Sequence, residues 1–241
     1  METPLEIENE LSKFRTFYNP KQPMNYPIRY YLILSFLFIF LADNSLSAQK
    51  TDWGSWIDLS AIKKLRATTL SLNGEFYTKQ NIREIDRISI GLEGNHAITS
   101  FAGVGVGYLL MNSHKNENYE LRNRFYTHLI LKWQLANFSF SHQERFQLTQ
   151  FPHSKAKSEY YWRNHLKIEF NPSDWCIKPF MIVESFFRLG KPISTGFDEG
   201  RYSLGISRQI TKIQRIKLYG LLSSSSSENN YITGLTYDFS F

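Results

Sequence analysis

The segment Tyr231 to Phe241 restricts the possible folds of this chain more than any other. Counted back from Phe241, every second residue (Phe239, Tyr237, Leu235) is aromatic or apolar, while Ser240, Asp238, Thr236 and Gly234 between them are small or polar. A repeat of two belongs to a β-strand whose two faces meet different surroundings. Outer-membrane β-barrels close on such a strand with a terminal aromatic residue. Phe241, Phe239 and Tyr237 are therefore the expected signal read by a barrel-assembly machinery.

Export must precede assembly, and the chain carries a segment suited to it. Ile28 to Ala42 is almost unbroken in apolar character, with Arg29 near its start and the small-residue stretch Ser45 to Ala48 after it. The run is shorter than the roughly 20 residues a spanning helix requires. A positive start, a short apolar core and a small-residue end describe a secretory signal cut before Gln49. Met24 makes an ordinary start for that signal, so residues 24–48 are assigned to it and 1–23 to an unstructured upstream extension. Residues 49–241 then form the mature fold, with 24 Lys+Arg against 17 Asp+Glu and a formal charge of +7.

A basic balance raises nucleic acid as a partner. Export argues against it, and the charges are scattered along strands rather than gathered in one stripe. Cys176 is the single cysteine, which excludes an internal disulfide and a thiolate-based zinc site. His96, His114 and His153 fall in turns or loops without metal-ligand spacing. No cofactor or metal site is expected.

Alternating segments of about 10 to 15 residues, separated by turn-forming stretches, fill the mature chain and carry the signature of a transmembrane barrel. In Leu121 to Trp133 one face holds Leu121, Phe125, Leu129, Leu131 and Trp133, and the other Arg122, Arg124, Tyr126, His128 and Lys132. Tyr160 to Phe170 repeats the arrangement. Strands of soluble domains are mostly about five or six residues long, and these are twice that. Aromatic residues at strand ends (Trp133, Tyr160, Trp162, Phe170, Trp175, Tyr231, Phe241) suit the interfacial girdles of such a barrel. The expected fold is all-β, an antiparallel transmembrane barrel of ten strands near 67–78, 85–96, 100–111, 119–134, 137–149, 159–170, 176–188, 200–210, 214–223 and 230–241. Short connections near 96–100, 134–137, 171–175 and 211–214 alternate with longer ones near 79–84, 112–119, 150–158, 189–200 and 223–230. An even count places both ends of the sheet on the periplasmic side. Trp53 to Ala61 also alternates, and is read as an accessory piece in the lumen or along the rim, or as an extra strand in a barrel of twelve.

The charged faces should line the interior. Pairing the strands around Asn171 to Trp175 so that residue numbers sum to 347 matches Glu169 with Lys178, Arg163 with Glu184, and Glu159 with Arg188. A one-residue slip would turn every side chain to the other medium. Arg122, Arg124, Lys132, Arg145 and Arg201 add an inward basic set, joined by Glu75, Arg87, Glu93, Arg215, Lys217 and Asp238. This predicts a lumen filled by charged side chains, with an anion-attracting cavity as the alternative. Gly103, Gly105 and Gly107 should face inward opposite Gly91 and Ser89. Glycines in a strand mark close approach by another group, which leaves the Trp53 segment, a ligand or barrel curvature as explanations. His142 and Glu144 interrupt the apolar face of their strand and suggest a local bulge.

Nucleophilic catalysis needs a serine, a histidine and an orienting group within hydrogen-bond reach. Ser141 and His142 are adjacent and point to opposite faces. His128 and His165 share the interior with Ser139, Ser141 and Ser207 without a defining spacing. The chain is therefore read as non-catalytic and monomeric, with outer-membrane lipid as its surroundings and its function in the loops or lumen. A membrane-embedded lipid- or envelope-modifying enzyme and a narrow anion channel are the alternatives.

The segments Tyr119-Glu-Leu-Arg-Asn-Arg-Phe-Tyr126, Tyr160-Tyr-Trp-Arg-Asn-His-Leu-Lys-Ile-Glu-Phe170 and Gly200-Arg-Tyr-Ser-Leu-Gly205, with the closing strand, resemble the domain-of-unknown-function family numbered 2490. The resemblance spans residues 52–241. It implies an outer-membrane barrel of a Gram-negative bacterium and brings no assigned activity or site residues. The signal assignment has a direct check: the intact mass of the exported protein should correspond to a chain beginning at Gln49, and retention of residues 24–48 would refute it.

Overall fold

The alternating segments become strands in the computed structural model, which describes residues 50–115, 118–154, 156–190, 196–226 and 228–241. The expected extension 1–23 and signal 24–48 lie outside the described residues. Eleven strands follow one another: β1 (Lys50–Leu65), β2 (Thr68–Lys79), β3 (Glu84–Ala97), β4 (Ala102–Lys115), β5 (Asn118–Leu135), β6 (Phe138–Gln150), β7 (Glu159–Phe170), β8 (Ile177–Arg188), β9 (Phe197–Thr211), β10 (Gln214–Ser225) and β11 (Glu228–Ser240). They form one closed barrel in which each strand pairs antiparallel with the next, and β1 closes on β11 in parallel.

The count departs from the expected ten or twelve because Trp53 to Ala61 belongs to a full 16-residue strand. Its alternation suits that place. Trp53 stacks on Tyr231 outside the barrel at 5.3 Å, and Trp56 stacks on Tyr77 inside it at 4.4 Å. Eleven consecutive antiparallel strands leave the first and last pointing the same way, so the closing ladder must be parallel. It runs from Lys50 opposite Glu228 to Ile62 opposite Ser240. The two ends of the sheet consequently lie at opposite mouths of the barrel, not at the same one.

Side chains sort by face as the alternation requires. An exterior row, Ala61, Leu72, Leu92, Tyr108, Phe125, Leu148 and Tyr160, continues neighbour to neighbour across seven strands. Leu92 is 61 % exposed and Val106 63 %. The buried apolar side chains, among them Tyr77, Leu109, Met111, Phe180, Phe186, Leu221 and Ile232, fill the interior. Two aromatic bands mark the exterior. Trp133 with Phe140 (5.3 Å) and Phe170 with Phe138 (5.1 Å) and Trp175 (5.5 Å) lie toward the turns after β5 and β7. Phe146, Trp162, Phe187 and Phe197 form a chain toward the opposite end.

Two expected registers shift by an even number of residues, which preserves every side chain's face. Glu169 lies opposite Phe180 and Arg163 opposite Phe186, a sum of 349 rather than 347. That ladder stops beside Pro179, which has no N–H to donate. Between β3 and β4 the turn is wider than expected, so Gly103, Gly105, Gly107 and Leu109 lie opposite Ala97, Asn95, Glu93 and Gly91. Thr99 widens it: its Oγ1 accepts the Phe101 and Ala102 N–H groups, and its own N–H donates to the Ala102 carbonyl at 3.0 Å. The strict alternation of short and long connections also fails. β4 ends at Lys115 and β5 starts at Asn118, and β10 ends at Ser225 and β11 starts at Glu228, so two expected long connections are each two residues in length.

The parallel seam can be tested by cross-linking. Ile57→Cys with Leu235→Cys, in a Cys176→Ser background, should form an intramolecular disulfide, because these exterior residues are direct register partners. Ile57→Cys with Tyr237→Cys should not. A mobility shift on non-reducing gels reads the result, and the reverse pattern would remove β1 from its place.

Candidate functional site in the barrel interior

Charged side chains on alternating positions can only meet one another inside, and there they form a nearly continuous network. The expected inward partners Arg163 and Glu184 do bond, diagonally rather than directly, since His165 is the residue opposite Glu184. His165 Nε2 lies 3.7 Å from the same carboxylate. Arg188 reaches Glu159 at 3.6 Å and also Asp198 at 3.4 Å. The third expected pair is not formed: Glu169 takes Lys167 at 2.6 Å and the Ser207 hydroxyl at 3.3 Å, in place of Lys178. The shifted register moves Lys178 off its expected partner.

The basic set divides. Arg122 pairs with Glu120 at 3.0 Å, and Arg201 with Glu199 at 2.6 Å. Arg124 donates to Thr149 Oγ1 at 3.1 Å. Arg145 crosses the interior to Glu93 at 3.7 Å, from β6 to β3, and lies over the Tyr126 ring at 4.1 Å. Lys132 stays exposed at the turn end, beside a cleft of about 130 Å³ lined also by Thr69, Asn95 and Gly103. Arg201 is packed between Phe186 (4.5 Å) and Trp56 (5.0 Å), bridging β8 and β1. Tyr219 donates to Asp58 at 3.2 Å, and Lys217 holds Asp238 at 2.9 Å.

Some of these contacts had a sequence signal that reading by turns alone misses. Glu120–Arg122, Lys167–Glu169 and Glu199–Arg201 are opposite charges two residues apart on one strand, hence on one face. The contacts Glu93–Arg145, Tyr126–Glu93 and Tyr219–Asp58 join strands two or three apart around the barrel. Closure across β11 brings Tyr219 to Asp58, and the other two reach over intervening strands such as the notched β4.

The inward glycines have a definite role. A Cβ on Gly105 would run into His128 and Asn95, and one on Gly107 into the Tyr126 ring. The strand is notched so that β5 can lay Tyr126 and His128 across β4 and reach β3. Tyr126 donates to Glu93 at 2.8 Å, and His128 Nε2 lies 2.6 Å from Asn95 Oδ1. The occupant of the notch is therefore the neighbouring strand, neither the Trp53 segment nor a ligand. Gly91 lies against Leu109.

His142 and Glu144 require no bulge, because β6 stays in register with both neighbours. Both point outward and are bonded to each other at 2.7 Å. Trp162 Nε1 donates to Glu144, and the Asn164 amide nitrogen turns toward it. This four-residue cluster satisfies its own polar atoms on an otherwise apolar face. Among the described residues, no three His, Cys, Asp or Glu side chains converge for a metal ion. The hydroxyl–imidazole bond seen is that of Thr68 with His96 at 3.0 Å, at the exposed turn end.

Glu184, with its side chain 8 % exposed, carries Arg163 and His165 and sits in the middle of the network. Glu184→Gln should cost about 3 kcal/mol by leaving buried cations uncompensated, read as a lowered midpoint of urea unfolding. A change below about 0.5 kcal/mol would mean that the interior network does not support the fold.

No curated protein and no solved structure matches the chain. A family model described as Protein of unknown function (DUF2490) matches residues 53–233, from β1 into β11, and the chain belongs to that family.

Proposed function

We propose that this protein is a monomeric integral outer-membrane β-barrel of a Gram-negative bacterium, non-catalytic and non-conducting, whose function resides in the connections at one mouth. The observation that carries this reading is the exterior row from Ala61 to Tyr160, apolar across seven strands, with ion pairs packed on the opposite face. Water-soluble monomers rarely expose a continuous apolar patch beyond a few hundred Å². Hydrocarbon tolerates it, and closure leaves no backbone edge unpaired. The two aromatic bands suit the two interfaces. The signal segment 24–48 supports export, and Tyr237 and Phe239 on the exterior of β11, with the exposed Phe241 after it, suit recognition by the assembly machinery.

The sealed interior is supported by the bridges that cross it: Arg145 to Glu93, Tyr126 to Glu93, and Arg201 over Trp56. Moving an ion through would require breaking them. The interior histidines are engaged by Asn95 and Glu184, which favours a structural role over a catalytic one. The longest connections, between β6 and β7 and between β8 and β9, open at the mouth opposite the turns and offer the surface for a partner.

Two measurements test this. The protein should stay with the outer-membrane fraction through an alkaline carbonate wash and migrate faster on gels before boiling than after. In planar bilayers it should give no current above background at about 100 mV. Stable anion-selective steps would replace the sealed interior with a channel, and loss of an envelope-lipid modification in His128→Ala and His165→Ala variants that still assemble would replace it with an enzyme.

A further inference from the structure

The exterior is not uniformly smooth. On β1 and β2 the outward residues Ala61 and Gly74 are small, while Leu59, Leu72, Ile90, Tyr237 and Phe239 around them are bulky. The result is an apolar groove of about 350 Å³ beside the parallel seam. A Cβ placed on Gly74 would meet nothing within 4 Å, so the groove opens fully to the surroundings. Its volume is more than twice the roughly 150 Å³ of an engineered cavity that admits benzene. A section of hydrocarbon chain fits such a space.

The groove ends at a cluster of cations. Lys63 is the next outward residue after Ala61 toward the turn, and its Nζ sits 4.7 Å from the centre of the Phe241 ring. Lys64 at the end of β1 and Arg66 in the turn after it follow, all exposed, and Arg66 holds a left-handed φ of 53°. Lys212 precedes Ile213, whose carbonyl accepts the Ser240 N–H beside Phe241. Among the described residues none of these four cations is in an ion pair, whereas the interior basic residues Lys217, Arg163 and Arg201 all are. Phe239 and Phe241, stacked at 6.1 Å, place this end at the level of an aromatic band.

An apolar slot closed at interface depth by unpaired cations has the chemistry of one amphiphile. We infer that the groove of β11, β1 and β2 binds a single anionic glycerophospholipid of the leaflet at the turn end. An acyl chain lies over Gly74 and Ala61, and the phosphate is held by Lys63 with Arg66 or Lys212. The inference rests on the membrane reading proposed above. The cations make the difference between this site and ordinary annular lipid: a zwitterionic headgroup brings its own ammonium to a site that already has an excess of positive charge. Basic residues at a membrane surface each strengthen binding of anionic lipid by about fivefold.

The experiment uses the whole mature barrel. It is first reconstituted in neutral phosphatidylcholine vesicles; failure to insert there would overturn the membrane reading itself. Native mass spectrometry then follows titration of the detergent-solubilised protein with phosphatidylglycerol or with phosphatidylcholine of identical acyl chains. One phosphatidylglycerol should be retained, at about tenfold lower concentration than phosphatidylcholine. Lys63→Gln should weaken phosphatidylglycerol alone, about fivefold. Gly74→Leu, whose Cβ enters open space and whose side chain occupies the groove, should abolish retention of both lipids while gel mobility before boiling stays that of the folded protein. Insertion into neutral vesicles together with equal retention of the two lipids, or with retention unchanged in Gly74→Leu, overturns the site and leaves the membrane reading standing.

Discussion

Closure of the sheet is the constraint on which every other feature depends. A strand edge presents unpaired N–H and C=O groups, and only a closed barrel removes both edges. With each strand turning back on its predecessor, the strand number alone decides how the seam is made. Eleven forces β1 and β11 to run in parallel, and parallel pairs are slightly weaker per residue than antiparallel ones. The seam offsets this with length, thirteen register pairs from Lys50 to Ile62, and with the stack of Trp53 on Tyr231. It also leaves the smaller residues Ala61 and Gly74 on the exterior beside it, where the groove forms.

Closure also dictates the chemistry of the interior. Half of all side chains in every strand point inward, where a buried charge is stabilised by an opposite charge or a hydrogen-bond partner. The interior answers with paired charges, guanidinium groups laid over aromatic rings, and glycine notches that let Tyr126 and His128 cross one strand to reach the next. Arg145 shows the principle in one residue: its charge meets Glu93 and its plane meets Tyr126. The same reasoning explains the exterior cluster of His142, Glu144, Trp162 and Asn164. These polar side chains satisfy one another on an otherwise apolar face.

The alternation was readable because its period is two, and a strand with the wrong parity would put Arg122 and Arg124 outside and Phe125 inside. Register was less readable. Slips by two or four residues leave every face unchanged, and these are the shifts seen around Pro179 and Thr99. Local turn chemistry sets them: a missing N–H at Pro179, a hydroxyl capping two amides at Thr99. The pair Arg163–Glu184 survives its shift because long side chains reach diagonally, whereas Glu169 changes partner to the lysine two residues before it. Trp53 to Ala61 read ambiguously for a different reason. Its alternation is that of any other strand, but its place depends on an edge of β11 that lies 178 residues away in the chain.

By itself, then, the sequence determined which residues are strands and which of their faces is apolar, since both follow from spacing along a few consecutive residues. The tertiary structure decided the number of strands, the parallel seam, the partners of Glu93, Asp58 and Glu169, and the groove over Gly74. Each of these is set by what lies across the barrel or around its wall, and distance along the chain carries no information about that.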